Sequence, residues 1–513
     1  MRTSQAAEAA TIGEHNLALL AERSFGLLGD YDQLFFEGTW HTSAEIHERS
    51  ARVAEGLRSI GVEPGDRVVV LMMNTPEVFV SYRAVWRAGA VVTPVIFLQT
   101  PPELRHILED SGAKAAILTP ELLPLFQAAS EGLEITAIVV DGDGSGGTTP
   151  YTELEKASPG QIVPRADHDL AALLYTGGTT GRAKGVMLHH RGLWESGRGI
   201  DAVSRSIGTT RSLLPLPLSH AYGLIVAVGG MHSDRRQQSV LQRWFDPAGW
   251  LQLAAEHRIE TSPMVPAMFG MLLDQPRDGY DLSSLRTFGS GGAALPVALR
   301  EEVEKTFGVI VTEGYGCTES SAIITISTLT ERRSGSVGKP AAHVELAIQG
   351  PDGVALPAGE EGEICVRGHG VMLGYWRDPE LSATVLRDGW LHTGDVGRLD
   401  EDGYLYVVDR IKDLIIRGGF NVYPRDVEDV LMEHPAVASA ACVGRPDTES
   451  GEEVVAVVQL HPGASATPEE LIEHARSRMA RYKYPREVIV VDAVPLTSVG
   501  KINRKAVRAL VRD

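Results

Sequence analysis

The sequence reads as an α/β protein made of more than one folding unit. Three observations carry that expectation. The 513 residues exceed what one hydrophobic core holds. Apolar residues at helical spacing alternate with short, wholly apolar runs through the first 140 residues, the grammar of a mostly parallel sheet covered by helices on both faces. From residue 335 the pattern changes to short strands joined by Asp-Gly pairs.

Taken in order, residues 43–60 carry a helical apolar stripe that stops at Gly61, a residue suited to a helix end. The runs 66–72, 91–95, 115–118 and 138–140 read as buried strands. The Gly/Asp/Thr-rich stretch 141–149 reads as a surface loop. A further apolar run, 170–174, opens a second α/β stretch that continues to about 325. Asp352-Gly353, Asp388-Gly389 and Asp402-Gly403 are hairpin-turn dipeptides, so 335–408 is expected to form a small antiparallel barrel or sheet. Beyond 412 a compact α+β unit follows, with helices near 425–433 and 467–480.

The formal charge of −19 makes nucleic acid and anionic membranes poor partners for the surface as a whole. Residues 476–513 run the other way, with ten Lys/Arg against three Asp/Glu, which suits contact with polyanions. Three scattered cysteines offer neither a disulfide framework nor metal-ligand spacing and fit a reducing cytoplasm. Glu8 and Glu14 near the start do not fit a signal peptide, and no apolar run has the length of a membrane span.

The most informative segment runs from Thr176 to Val186. It holds four glycines, three threonines, Arg182 and Lys184 in eleven residues. Glycines let backbone N–H groups converge on an anion, threonine hydroxyls add donors, and Lys184 adds a point charge. The spacing is not that of the common nucleotide-hydrolase loop, because Ala183 precedes Lys184 and Gly185 follows it. Further segments stand downstream: 217–223 with His220, 290–294, 313–319, 390–395, 408–410, 414–422 and 495–505.

In order and spacing these segments resemble the adenylate-forming superfamily: acyl-CoA synthetases, luciferases and the adenylation domains of peptide synthetases. Gly178 and Ala183 stand where that family usually has Ser and Pro. The resemblance covers nearly the whole chain. It implies a large N-terminal domain, 1–410, of two α/β subdomains plus a small β-barrel, then a mobile C-terminal domain, 412–513, with the hinge near Lys412. It implies ATP, Mg²⁺ and coenzyme A: a carboxylate attacks the α-phosphorus of ATP, and a thiol then displaces AMP from the acyl-AMP.

Residue by residue, the resemblance gives Thr176, Gly177, Gly178, Thr179, Thr180, Gly181 and Lys184 to the phosphates. It places Gly291, Gly292, Ala293, Gly314, Tyr315 and Gly316 around adenine, with Thr318 on the α-phosphate and Glu319 on the metal. Asp395 and Arg410 meet the ribose. Lys501 bridges the carboxylate and the α-phosphate, and His220 stands beside the acyl carboxylate. Arg417, Gly418, Gly419 and Phe420 form the path for coenzyme A. The acyl pocket is expected from His220, Tyr222, Val265, Pro266, Met268, Gly289, Ser290 and Gly314. These are mostly small or apolar, which favours a medium or large apolar acid. None of the segments shows an arginine placed for a second carboxylate. The expected function is therefore an AMP-forming acyl-CoA ligase. Its rivals are an enzyme that loads a carrier protein, a thiolation-specialised member fed by a partner adenylating enzyme (Gly178 and Ala183 weaken the loop), and a non-catalytic nucleotide-binding relic. Monomer and homodimer stay open.

Overall fold

The computed structural model describes residues 12–176, 182–448, 450–497 and 500–511. Two large sheets, a small antiparallel sheet and a C-terminal sheet organise the chain.

The eight-stranded sheet has parallel strands Leu170–Thr176, Val91–Val95, Arg67–Leu71, Ala115–Leu118 and Thr136–Val139 at its centre. Their continuous apolar character follows from burial on both faces. Val68 and Val70 join one core cluster while Val69 and Leu71 join another on the opposite side. Helix Ser43–Ser59 covers this region, as its stripe foretold. Strand Lys184–His189 returns antiparallel to Leu170–Thr176, with Thr176 opposite Lys184. The two strands fix both ends of the Gly/Thr-rich segment. Gly177, Gly178, Thr179, Thr180 and Gly181 lie outside the described residues.

The nine-stranded sheet carries the parallel strands Gln238–Leu241, Arg211–Leu214, Thr261–Met264, Thr287–Ser290 and Ile310–Tyr315. Successive residues point to opposite faces. Leu213, Val240, Phe288 and Val311 pack with Trp250 and Phe269 in a core on one face. Ser212, Ser239, Thr261, Pro263, Thr287 and Gly289 face a cavity on the other. At the sheet's far edge lies a hairpin that sequence reading missed, Asp32–Phe36 and Thr39–Thr42. Leu34 sits opposite Ser239 across a parallel ladder. Its turn is Glu37-Gly38, with φ of 43° and 89°. A Glu-Gly pair is a weaker turn signal than Asn-Gly or Asp-Gly.

The third sheet holds the antiparallel strands Val344–Gln349, Gly362–Gly368, Trp390–Leu399, Leu386–Arg387 and Leu405–Arg410. Arg387 pairs with Trp390 around Asp388-Gly389, both at positive φ, the two-residue turn that the dipeptide signals. Past it, Ile415, Val422, Val427, Leu431 and Cys442 enclose a separate core with Val454, Ala456 and Val458 of strand Gly451–Leu460. Helices Pro424–Met432 and Pro468–Arg476 pack on it. No helix among the described residues is long and apolar enough to cross a membrane.

Candidate active site

Parallel strands deliver the residues that follow them to one side of their sheet, where ligands bind. Thr261–Met264, Thr287–Ser290 and Ile310–Tyr315 end together, bringing Gly291-Gly292 and Gly316-Cys317-Thr318 to the mouth of a cavity of about 220 Å³. The glycines are required by contact. A Cβ added at Gly316 would lie 2.0 Å from the Ala322 carbonyl oxygen, and one at Gly291 would lie 3.2 Å from the Tyr222 ring. The Tyr222 hydroxyl donates to the Gly289 carbonyl at 3.4 Å. Ser290 Oγ, buried in the lining, has no hydrogen-bond partner among the described residues.

His220 caps helix Ala221–Gly230, its ring nitrogen accepting from the Tyr222 N–H. Burial, then Lys501, pushes its pKa down to about 3, so it is a neutral imidazole. Lys501 enters the same cavity from the C-terminal unit. Gly500, at φ 75°, rests on Val265 and Ala267, and the Lys501 Cε comes within 3.8 Å of where a Gly292 side chain would start. Burial, and next Arg410, lowers the Lys501 ammonium from its usual pKa.

Beside them the Tyr315 hydroxyl donates to Asp395 Oδ2 at 2.6 Å, and Arg410 Nε donates to Asp395 Oδ1 at 3.2 Å. The sheet enforces this pair, since Asp395 and Arg410 are cross-strand partners. Burial and Asp395 hold the Tyr315 phenol neutral.

The Ala183-Lys184 end of the Gly/Thr-rich segment is held by residues that sequence reading missed. His106 Nε2 donates to the Ala183 carbonyl at 2.8 Å. Lys184 Nζ lies 5.6 Å from the centre of the Tyr375 ring, and the Tyr375 hydroxyl donates to Glu319 Oε1 at 2.9 Å. Tyr375 follows Gly374, at φ 133°, on a two-residue strand beside Lys184–His189. That Gly-Tyr pair was its only signal. Glu319 Oε2 accepts no hydrogen bond among the described residues, so this half-buried carboxylate has the chemistry to hold a hard cation.

Of the expected acyl-pocket residues, His220, Tyr222, Gly289, Ser290 and Gly314 line the cavity. Val265, Pro266 and Met268 stand outside this lining: Val265 supports Gly500, Pro266 opens a helix, and Met268 packs on the Trp250 core. Ala293 is half-buried just beyond Gly292. Arg417, Gly418, Gly419 and Phe420 form a separate hairpin. Arg417 makes a bidentate pair with Glu453 at 2.6 and 3.0 Å, and Phe420 stacks on Tyr482. None of the four reaches the cavity in this arrangement. Lys412 sits in the turn Ile411–Asp413 between the units.

A half-buried lysine from one unit thus shares a cavity with the glycine turns of the other and feels the charges of Arg410, Asp395 and Glu319. Residues 22–376 match the family described as AMP-binding enzyme, and 426–501 match its C-terminal domain. The chain belongs to the adenylate-forming, AMP-binding enzymes. A feruloyl-CoA synthase from an Amycolatopsis species is 38% identical to this adenylate-forming enzyme over 92% of this chain and 94% of its own length. A long-chain-fatty-acid–CoA ligase of Bacillus subtilis is 36% identical over 93% of this chain and 91% of its own. ATP-bound MatB from Rhodopseudomonas palustris, 33% identical, superimposes with a TM-score of 0.88 over 97% of this chain and 99% of its own. Its apo form, over the same shares, gives 0.77.

Proposed function

We propose that this enzyme joins a carboxylic acid to coenzyme A, driven by ATP cleavage, through an enzyme-held acyl-AMP. The observation that carries this reading is the enclosed Lys501 ammonium, brought by the C-terminal unit to the cavity that Gly291, Gly292 and Thr318 border. The acid carboxylate attacks the α-phosphorus, a P–O bond forms, and pyrophosphate leaves with the electron pair of the broken bond. Lys501 offsets negative charge that develops on the transferring phosphoryl group, in a site that excludes water. The Asp395 carboxylate, oriented by Tyr315 and Arg410, accepts from ribose hydroxyls. The neutral His220 orders the acid without adding a second cation. Lys184, Thr176 and the loop they flank hold the polyphosphate. Glu319 is the residue that would hold Mg²⁺, which when bound neutralises phosphate charge.

In the second half-reaction the coenzyme A thiolate attacks the acyl carbon and AMP leaves. Its path is assigned to the Arg417–Phe420 hairpin, where two glycines leave open space. Lys501 and that hairpin lie on one small unit and serve different steps, so the unit must turn about a hinge at Lys412, dividing the chain into 1–410 and 412–513. The separate C-terminal core and the different fit to ATP-bound and apo MatB support two arrangements. Three unpaired cysteines, Cys317, Cys365 and Cys442, suit a reducing cytoplasm.

The test is acid-dependent ATP–pyrophosphate exchange over a panel of acids, followed by coenzyme A-dependent release of AMP. Exchange that needs the acid but not coenzyme A, then thioester formation once coenzyme A is added, is the expected result. Acyl transfer to a carrier protein with no response to coenzyme A would overturn the choice of acceptor.

A further inference from the structure

The cavity changes character along its length. Near Lys501 its floor is Gly289, Gly291 and Pro263. Two residues earlier on the same strands the floor becomes a row of hydroxyls: Ser239, Ser212, Thr261 and Thr287 are neighbours in register. Ser212 and Ser239 share a hydrogen bond of 3.0 Å, as do Thr287 and Thr261. Beyond this row the lining reaches Arg83 and Gln33.

Arg83 comes from helix Pro76–Arg87 and is a half-buried residue of the cavity lining. It makes no hydrogen bond and no ion pair among the described residues. The carboxylates in the lining are engaged elsewhere, Asp201 with Arg205 and Glu313 with Arg300. The titratable groups that feel its charge, Tyr31 and His47, are kept neutral by burial, which raises the phenol and lowers the imidazole. The same burial pushes the Arg83 guanidinium down to about 10, which still leaves it charged at neutral pH. The Gln33 amide oxygen is also buried without a partner, and turning the amide over presents its NH₂ instead. An enclosed cation with no counter-charge is costly and persists where a ligand supplies the anion.

We infer that the far end of the cavity is an oxyanion subsite, and that the acid carries a second carboxylate there, held by Arg83 and the hydroxyl row. This deepens the ligase reading and rests on it. It also departs from the wholly apolar acid expected from the sequence, which considered only residues near the mouth. Four residues along strand Thr287–Ser290 and three strand spacings across to Gln238–Leu241 put the two ends roughly 20 Å apart. The substrate class is therefore a long acid with an apolar middle and an anion at each end.

The experiment uses the full-length enzyme and α,ω-dicarboxylic acids of roughly eight to sixteen carbons, each beside the monocarboxylic acid of equal length. Pyrophosphate exchange is measured for the wild type, Arg83→Met and Arg83→Lys, with Tm shifts by each acid measured without ATP. The wild type should prefer its best diacid over the matched monoacid by about tenfold or more. Arg83→Met should lose about ten- to a hundred-fold on the diacid and favour the monoacid. Arg83→Lys should keep part of the preference. The diacid should raise the Tm of the wild type and not that of Arg83→Met. Equal use of both acids by the wild type overturns the subsite while leaving the ligase reading intact, as does an unchanged preference in Arg83→Met. If Arg83→Met does not fold, a diacid preference and a diacid Tm shift kept at least in part by Arg83→Lys support charge recognition. Loss of preference without loss of diacid turnover overturns it. Exchange with no acid at all removes the ligase reading, and the subsite with it.

Discussion

In the proposed function, the Lys501 ammonium acts only while phosphorus is changing bonds. Lys501→Ala should lower acyl-AMP formation by about a hundred- to a thousand-fold, the scale of losing one preorganised charge at a transition state. Conversion of supplied acyl-AMP to thioester should stay within a few-fold of wild type. Single-turnover assays of each half-reaction check this, and equal losses in both would contradict the division of labour. Glu313 makes a pH prediction. Burial raises its pKa to about 7, outweighing Arg300, against an ordinary value of 4.5. A folded state that holds its proton more tightly is stabilised below the unfolded pKa and loses that contribution as pH rises through about 7. The Tm of the wild type should fall between about pH 5 and 8, and Glu313→Gln should flatten the slope, a difference on the order of 1–3 kcal/mol. Lys501, Asp395 and Glu319 could be read in the sequence because each sits in a short run whose neighbours are chemically constrained. Arg83 could not. Nothing adjacent to it is unusual, and its meaning arises only when helix Pro76–Arg87 brings it to a cavity that Ser212 and Ser239, far along the chain, also line.

The hairpin Ile415–Arg417 with Phe420–Val422 turns on Gly418 and Gly419, at φ 57° and 80°. Both face open space, so a larger side chain meets no neighbour and costs only the left-handed backbone, about 1–2 kcal/mol. Gly419→Leu should leave the fold and pyrophosphate exchange nearly intact while thioester formation falls at least about tenfold, which coenzyme A saturation kinetics would reveal. An unchanged rate would move the thiol path elsewhere. His106→Ala should have the opposite profile. If the segment before Ala183 holds the phosphates as proposed, freeing the Ala183 carbonyl should lower exchange and spare thiolation from acyl-AMP. Element identity was legible wherever a strong local signal existed, as with Asp388-Gly389 or the twice-buried strands. The hairpin Asp32–Phe36 with Thr39–Thr42 was not, because its runs are short and its pairing partner lies about 200 residues on.

At the scale of the molecule, polar contacts link residues before the turn Ile411–Asp413 to residues after it. The Arg425 backbone N–H donates to Asp409 Oδ2 at 2.9 Å, and its guanidinium donates to the Val407 carbonyl at 2.7 Å. The proposed hinge needs dihedral freedom at Lys412. Lys412→Pro should therefore abolish most steady-state turnover while one half-reaction, assayed alone, survives. The broad plan of α/β, small sheet and α+β could be read from pattern changes along the chain. Which unit faces which, and when, depends on docking that no local pattern records.

The N-terminal hairpin also has a consequence for biosynthesis. It leaves the ribosome early, yet its ladder partner, Gln238–Leu241, is made about 200 residues later. The first strand must wait for that ladder partner while the residues between them are made. A chain started after Thr42 would leave Gln238–Leu241 as a bare sheet edge, a template for intermolecular pairing. Such a shortened product should collect in the insoluble fraction of the host cell, and supplying residues 12–42 as a separate peptide during refolding should recover part of it.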